Sequence, residues 1–111
     1  MGIYTEGGYA EYVLVPSYKY LVKIDDNMDM DTSATLSYCA LTACSGVKNT
    51  ILKPNDNVTI VGGGGLGLMA IQLAKAVSGC RVIVMDLDDQ KLKAAKNNGP
   101  IALSIRKKKI L

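Results

Sequence analysis

Histidine is absent from this 111-residue chain, and its three cysteines, Cys39, Cys44 and Cys80, form no CxxC pair. Because zinc sites in proteins draw on clustered cysteine and histidine side chains, we do not expect a complete zinc site built from this chain alone. An odd number of cysteines without a secretory signal is typical of reduced thiols. The sequence therefore predicts a cytoplasmic protein.

Long apolar runs and concentrated charge are also missing. No stretch approaches the roughly 18 consecutive apolar residues of a membrane helix, so we predict no membrane span. The formal net charge is only +3, and the basic residues are scattered apart from the run Arg106 to Lys109. Since no aromatic residues interleave with that run, we interpret residues 106–111 as a basic, solvated tail and predict no nucleic-acid partner.

The second half of the chain has the pattern of an α/β fold. "VTIV" (58–61) and "RVIVMD" (81–86) are short, β-branched and apolar, as buried strands are. Residues 66–77 between them carry apolar side chains at helical spacing, and Asp88 can cap a further helix. This βαβα order predicts a parallel sheet with a right-handed crossover. A third strand can follow in "IALSI" (101–105).

The start of the chain has strand-like patterns. Residues 9–15, "YAEYVLV", alternate between two faces and lie between a Gly-Gly pair and a proline. They predict a β-strand, and "YLVKI" (20–24) predicts a second short extended piece.

A helical stretch separates these segments from the βαβα unit. We predict helix over residues 31–50, capped by Asp29 or Asp31 and weakened or broken at Ser45-Gly46. The helix at 66–77 is apolar almost all round, so it should be covered on both sides. A sheet covers one side, and a second element must cover the other.

Four consecutive glycines connect the first strand to its helix and contain the pattern G-x-G-x-x-G as Gly62, Gly64 and Gly67. Gly62 allows a sharp turn, Gly64 leaves room for a pyrophosphate beside the backbone, and Gly67 allows the helix to pack close to the strand. The amides and dipole of the helix's first turn then face the phosphates. The pattern predicts a dinucleotide site, although S-adenosylmethionine sites also use glycine turns.

Asp86 ends the next strand, 24 positions after Gly62, close to the separation expected of a ribose-binding acid. Its carboxylate can accept hydrogen bonds from the ribose hydroxyls, whereas a 2′-phosphate would meet like charge. We therefore predict NAD(H) over NADP(H), with a cap or turn residue as the alternative role. Lys91 is either a ribose contact or a cation compensated by Asp88 and Asp89.

Four stretches in order resemble the middle of the medium-chain, zinc-type alcohol dehydrogenases, especially archaeal and bacterial members: "GGYAEYVLVP", "ALTACSGVKN", "VGGGGLGLMAIQLAKAVSG" and "VIVMDLDDQKLKAAKNNG". The likeness covers about residues 3–99 and fades after Gly99. It implies that residues 1–30 end a GroES-like catalytic domain. Residues 31–105 would then form part of an NAD-binding Rossmann domain with leading helices.

The same resemblance implies the site residues. Thr42 matches a threonine beside the nicotinamide, and Leu66 matches an apolar residue that packs against the nicotinamide ring. The residues that match the dinucleotide contacts, with Gly65 included from the glycine run, are Gly62, Gly64, Gly65, Gly67, Asp86 and Lys91.

One departure from the family concerns zinc. The family's catalytic zinc cysteine falls four residues before the threonine, where this chain has Tyr38, and Cys39 is one position away. A shift of one residue rotates a helical side chain by about 100°, so we assign no metal ligand. The resemblance implies zinc as a cofactor of the full-length family, and we do not expect this chain alone to bind it.

The resemblance predicts a fragment of an NAD-dependent alcohol dehydrogenase, lacking the N-terminal catalytic domain and the C-terminal half of the Rossmann domain. NAD(H) would be its ligand and a small alcohol or aldehyde the substrate of the full-length family. We expect the chain to be inactive alone. The alternative is a non-enzymatic remnant, or weak nucleotide-binding module, whose exposed apolar surface favours self-association.

Overall fold

The computed structural model of the chain describes residues 6–99 and the backbone of Ile101–Ser104. The predicted basic tail at 106–111 lies outside the described residues.

A parallel three-stranded sheet forms the centre of the fold. Its strands are β1 (Asn57–Val61), β2 (Arg81–Asp86) and β3 (Ile101–Ser104), which neighbour one another in that order. Val58 lies opposite Val82 in the β1–β2 pair. The predicted α/β fold with a parallel sheet is therefore confirmed, and the segment at 101–105 contributes the third strand.

Two helices connect the strands and pack on the sheet. Helix α3 (Gly65–Ser78) leads from β1 to β2 and ends at Gly79, which adopts a left-handed conformation with φ of 65°. Helix α4 (Asp89–Lys96) leads from β2 to β3. The Asp88 side chain accepts a hydrogen bond from the Gln90 amide at 2.8 Å, as the predicted cap requires.

The core lies between this sheet and its two helices. The largest fully buried side chains of the core are Val84 of β2 and Ile71 of α3. A connected apolar cluster surrounds them, consisting of Ile71, Ala74, Cys80, Val82, Val84, Leu92 and Ala95. Strand β2 and helices α3 and α4 thus contribute most of the buried apolar side chains of this core, and Val58 and Ile60 of β1 pack against it.

Three consecutive helical segments precede the sheet. They are α1 (Met30–Ala34), a π-helical turn (Leu36–Ala40) and α2 (Leu41–Asn49). Asp29 is the cap of the first segment, because its Oδ2 atom accepts a hydrogen bond from the Thr32 amide at 2.9 Å. Of the two predicted caps, the structure selects Asp29.

The irregularity in this helical stretch is not where the sequence placed it. Ser45-Gly46 lies inside α2 without a break, and the distortion falls at Leu36–Ala40 instead. The hydroxyls of Ser33, Thr35 and Ser37 each donate to a carbonyl three or four residues earlier. Such bonds compete with the helical amide pattern and bend helices, which accounts for the wider turn here.

The prediction of a β-strand at residues 9–15 is also wrong. These residues have no regular structure, and Tyr12 and Leu14 are 90% and 87% exposed. A strand needs a neighbouring backbone, and within residues 6–99 none runs beside this segment. The predicted extended piece at 20–24 likewise forms no strand and follows a short 3₁₀ turn, Tyr18–Tyr20.

Helix α3 has the second cover that its apolar surface requires. One side faces β1 and β2, and α2 packs against another. The cover is incomplete, since Val77 remains 63% exposed.

None of the helices within the described part of the chain combines the length and apolar character needed to span a bilayer.

Helix α3 lies close to β1 and to the turn after it at Gly67. A Cβ atom at this position would overlap the carbonyl oxygen of Gly62 and lie 3.7 Å from the Cγ2 atom of Ile60. Since the overlapping atom is backbone, no side-chain rotation can relieve the clash. The predicted role of Gly67 in close packing is supported by this geometry.

A strained backbone follows α2. Ile51 has a φ of 49° although it is β-branched, and its side chain is 81% exposed. The left-handed conformation costs a residue with a Cβ atom about 1–2 kcal/mol, while glycine adopts it freely. We expect Ile51→Gly to raise the free energy of unfolding by about 0.5–1 kcal/mol, after allowing for glycine's greater chain entropy. Urea unfolding measures this change.

Ile51→Ala is the control, because alanine also lacks the exposed apolar side chain but keeps the strained Cβ atom. The interpretation is wrong if the glycine variant is no more stable than the alanine variant.

The contact between α3 and β1 gives a second prediction. We expect Gly67→Ala to lower the free energy of unfolding by about 1–3 kcal/mol, as overpacking does when backbone must move. Gly46→Ala is the matched control, since a Cβ atom there meets nothing within 4 Å inside helix α2. It should be neutral or stabilising by up to about 1 kcal/mol. Equal effects of the two substitutions, measured by urea unfolding, would contradict this account.

Candidate dinucleotide-binding site

The glycine run forms a tight turn at the carboxyl end of β1. Gly62 has a φ of 102°, a conformation that side chains rarely adopt, and its amide donates to the Met85 carbonyl at 2.8 Å. The chain then continues into α3, which begins at Gly65. The predicted turning role of Gly62 is supported by its backbone conformation.

Open space lies beside the next part of the turn. A Cβ atom at Gly64 would meet nothing within 4 Å, and one at Gly65 would lie 3.7 Å from Cys39 Sγ. Gly64 is also the N-cap of α3 and offers no side chain to the helix's first amides. Those amides have no carbonyl partner within the helix, so the turn presents donors and the positive end of the dipole to an anion.

Asp86, at the end of β2, points at this turn. Its Oδ2 atom accepts a hydrogen bond from the Gly63 amide at 2.7 Å, and its Oδ1 atom accepts one from the Asp88 amide at 2.9 Å. These two amides, and then the positive charge of Lys91, hold the pKa of the Asp86 carboxyl below its ordinary value of 3.8. The carboxylate is therefore negatively charged at neutral pH and lies beside the predicted pyrophosphate position.

Lys91 lies in the first turn of α4, close to the glycine run. Its Cβ atom is 3.3 Å from the position that a Cβ atom at Gly63 would take. The side chain is exposed and its charge acts on Asp86. This position suits both predicted roles, a ribose contact and a cation balanced by neighbouring acids.

The two residues assigned to the nicotinamide side come together although they are 24 positions apart. Thr42 of α2 and Leu66 of α3 both line a cavity of about 360 Å³ between α2, β1 and α3. Val58, Ile60 and Ala70 contribute further apolar wall. Leu66 is 41% exposed, so its side chain is available to a ligand as well as to the protein.

Zinc ligands are not assembled in the part of the chain that the structure describes. Within it, no group of three histidine, cysteine, aspartate or glutamate residues could hold a metal ion. Cys39 is half-buried in the π-helical turn with its Sγ atom against α3, and Tyr38 is 70% exposed. The described residues therefore do not fit a zinc ion, and we derive no chemistry through one.

Sequence reasoning gave Gly63 no role, yet the structure places it at the centre of the site. It is buried, and its amide makes the bond to Asp86. The G-x-G-x-x-G pattern treats this position as variable. The available signal was a glycine at this variable position, the second of four in a row.

The comparisons with known proteins agree with this geometry. The family profile described as "Zinc-binding dehydrogenase" matches residues 65–109. The match extends past Gly99, so the expectation that the likeness fades there is wrong. The chain is also 45% identical over 100 residues to an NAD-dependent alcohol dehydrogenase of Sulfurisphaera tokodaii, covering 89% of this chain and 28% of that protein.

A second relative and two solved structures extend the likeness. An alcohol dehydrogenase of Geobacillus stearothermophilus is 42% identical over 98 residues, covering 88% of this chain and 28% of that protein. The alcohol dehydrogenase structure from Aeropyrum pernix has a TM-score of 0.86 at 32% identity, covering 97% of this chain and 33% of that one. A structure described as a short chain alcohol dehydrogenase from Escherichia coli CFT073, complexed with NADH, has a TM-score of 0.84 at 29% identity, covering 97% of this chain and 32% of that one.

This chain thus spans about a third or less of the length of the proteins that it resembles. Over this span, the chain is similar in sequence and in fold to zinc-type alcohol dehydrogenases.

Proposed function

We propose that this chain supplies the pyrophosphate- and adenosine-ribose-binding part of an NAD-dependent alcohol dehydrogenase. The observation that carries the proposal is the position of Asp86, whose carboxylate lies 2.7 Å from the Gly63 amide in the glycine turn. An acid at the end of β2 and a glycine turn at the end of β1 are the two parts of a dinucleotide site. Here they are in direct contact.

The pyrophosphate would lie against the amino end of α3. Gly64 leaves that space open, because even a Cβ atom there would touch nothing within 4 Å. The first amides of α3 and the helix dipole provide hydrogen bonds and favourable charge for the phosphates. The roles of Gly62, Gly64, Gly65 and Gly67 in this site are thus to shape backbone, since none of them contributes a side chain.

The adenosine ribose would bind at Asp86. Each carboxylate oxygen has two lone-pair sites, and the structure uses one on each oxygen for a backbone amide. The remaining sites can accept bonds from ribose hydroxyls. A 2′-phosphate at the same place would bring a second negative charge against the carboxylate, so NAD(H) is favoured over NADP(H).

The nicotinamide would extend toward the cavity shared by Thr42 and Leu66. The threonine hydroxyl supplies a polar group and the leucine an apolar surface on the wall of that 360 Å³ space. NAD bound there would supply the hydride acceptor for oxidation of an alcohol by the complete enzyme. The residues of this chain position the cofactor, and we expect no turnover of ethanol and NAD by the chain alone.

The alternative is a remnant without enzymatic function. Its support is the apolar surface exposed in the first part of the chain, where Tyr12 is 90% and Val22 86% accessible. Exposed apolar surface of this kind favours self-association. This alternative binds a nucleotide weakly or not at all, so the two functions differ in how tightly and how specifically the purified chain binds NADH.

Titration with NADH distinguishes them. At a concentration 100 times the dissociation constant, NADH should raise the free energy of unfolding by about 2.7 kcal/mol. NADPH should bind at least tenfold more weakly, and S-adenosylmethionine should give no shift at concentrations where NADH does. Thermal unfolding and NADH fluorescence provide the two measurements.

Gly64→Ala makes this test specific to the site. The added methyl group has room in the protein, so stability should change little, but it occupies the proposed pyrophosphate space. We expect its NADH affinity to fall at least tenfold, whereas Gly8→Ala, at another glycine where a Cβ atom meets nothing within 4 Å, keeps the original affinity. Equal NADH affinity of the Gly64 variant would reject this site, and absence of binding to the unmodified chain would favour the remnant.

A further inference from the structure

One carboxylate connects two segments at the edge of the sheet. Asp86 accepts from the Gly63 amide in the glycine turn and from the Asp88 amide in the loop that starts α4. The first bond joins residues 23 positions apart, so it is a tertiary contact rather than a local turn.

The turn is shaped so that this contact can form. A Cβ atom at Gly63 would lie 3.3 Å from the Lys91 Cβ atom and 3.5 Å from both the Lys91 carbonyl oxygen and Asp86 Oδ2. The first distance is shorter than ordinary contact, so a Cβ atom there would displace the Lys91 side chain by a few tenths of an ångström, while the two 3.5 Å distances are ordinary contacts. The lack of a side chain at Gly63 therefore allows the backbone of the turn to lie close to α4 and to Asp86. This role differs from that of Gly62, which allows the sharp turn.

We infer that Asp86 positions the glycine turn through the Gly63 amide before any cofactor binds. Under the proposed function, the same carboxylate then also binds the adenosine ribose, and only this second part depends on that function. The two roles are compatible because the amides occupy one lone-pair site on each oxygen and leave the others free. Asp86 is thus a positioning residue as well as a specificity residue.

Amide hydrogen exchange in the ligand-free, full chain tests the inference. In the unmodified protein we expect the Gly63 and Asp88 amides to be protected. Asp86→Ala removes both acceptors, so both amides should exchange at least tenfold faster. The Leu68 amide, which donates to the Gly64 carbonyl at 2.8 Å, should keep its rate and shows that α3 is intact.

Asp86→Asn is the second variant, and it separates positioning from packing. Asparagine has nearly the same shape but only one acceptor oxygen, and its NH₂ group must face the other amide. At most one of the two amides should therefore keep its protection. A role in packing alone would leave both protected.

The matched control is Asp89→Ala, which removes a neighbouring acid from the first turn of α4. It should leave exchange at Gly63 unchanged. The inference is overturned if the Gly63 amide exchanges at the original rate in both Asp86 variants, or if Asp89→Ala accelerates it as much as Asp86→Ala.

The outcome is independent of cofactor binding, because no ligand is present. Loss of protection at Gly63 together with no NADH binding by the unmodified chain would support the inference and reject the proposed function. Unchanged protection of Gly63 in both Asp86 variants, together with NADH binding by the unmodified chain, would overturn the inference and support the proposed function.

Discussion

The arrangement of this site depends on the close approach of helix α3 to strand β1. Gly67 allows it, because any side chain there would collide with the backbone oxygen of Gly62. The approach fixes where the amino end of α3 lies relative to the strand ends. Because β1 and β2 are parallel, their carboxyl ends meet at one edge, and Asp86 comes within hydrogen-bond distance of the turn. The charge and the helix dipole are thus brought together by a packing constraint rather than by local sequence.

Much of this arrangement could be predicted from the sequence, because the relevant signals are local and periodic. β-branched apolar runs predicted β1 and β2, and short polar side chains before helical runs predicted the caps at Asp29 and Asp88. The strand at 9–15 failed for a different reason. Alternation shows which side chains share a face, but it does not provide a neighbouring backbone, and no neighbour lies beside that segment among the described residues. The π-helical turn was missed because it depends on hydroxyl bonds to carbonyls, which hydrophobic spacing does not report.

The residues of the candidate site also divide into those that a local sequence pattern predicts and those that depend on tertiary packing. Gly62, Gly64, Gly67 and Asp86 follow from one spacing rule with a physical reason for each position. Thr42 and Leu66 came only from the family resemblance, since neither lies in a motif that has its own chemistry. Their meeting in one cavity depends on the packing of α2 against α3, which no local pattern determines. Gly63 was missed for the same reason, because its partner Asp86 is distant in sequence.

The contact between Gly63 and Asp86 also bears on cofactor preference. Replacing an acid at this position by a neutral or basic residue removes the charge that opposes a 2′-phosphate. In this chain the same replacement removes the acceptor of a buried amide, and an unpaired buried amide destabilises the conformation that contains it. A change toward NADP(H) would therefore need a residue that accepts from Gly63 without carrying negative charge. Asparagine accepts from Gly63 only if its NH₂ group faces the Asp88 amide, and serine and threonine are too short to reach the turn in its present position. Under the proposed function, preference for NAD(H) and the shape of the turn are thus coupled at Asp86.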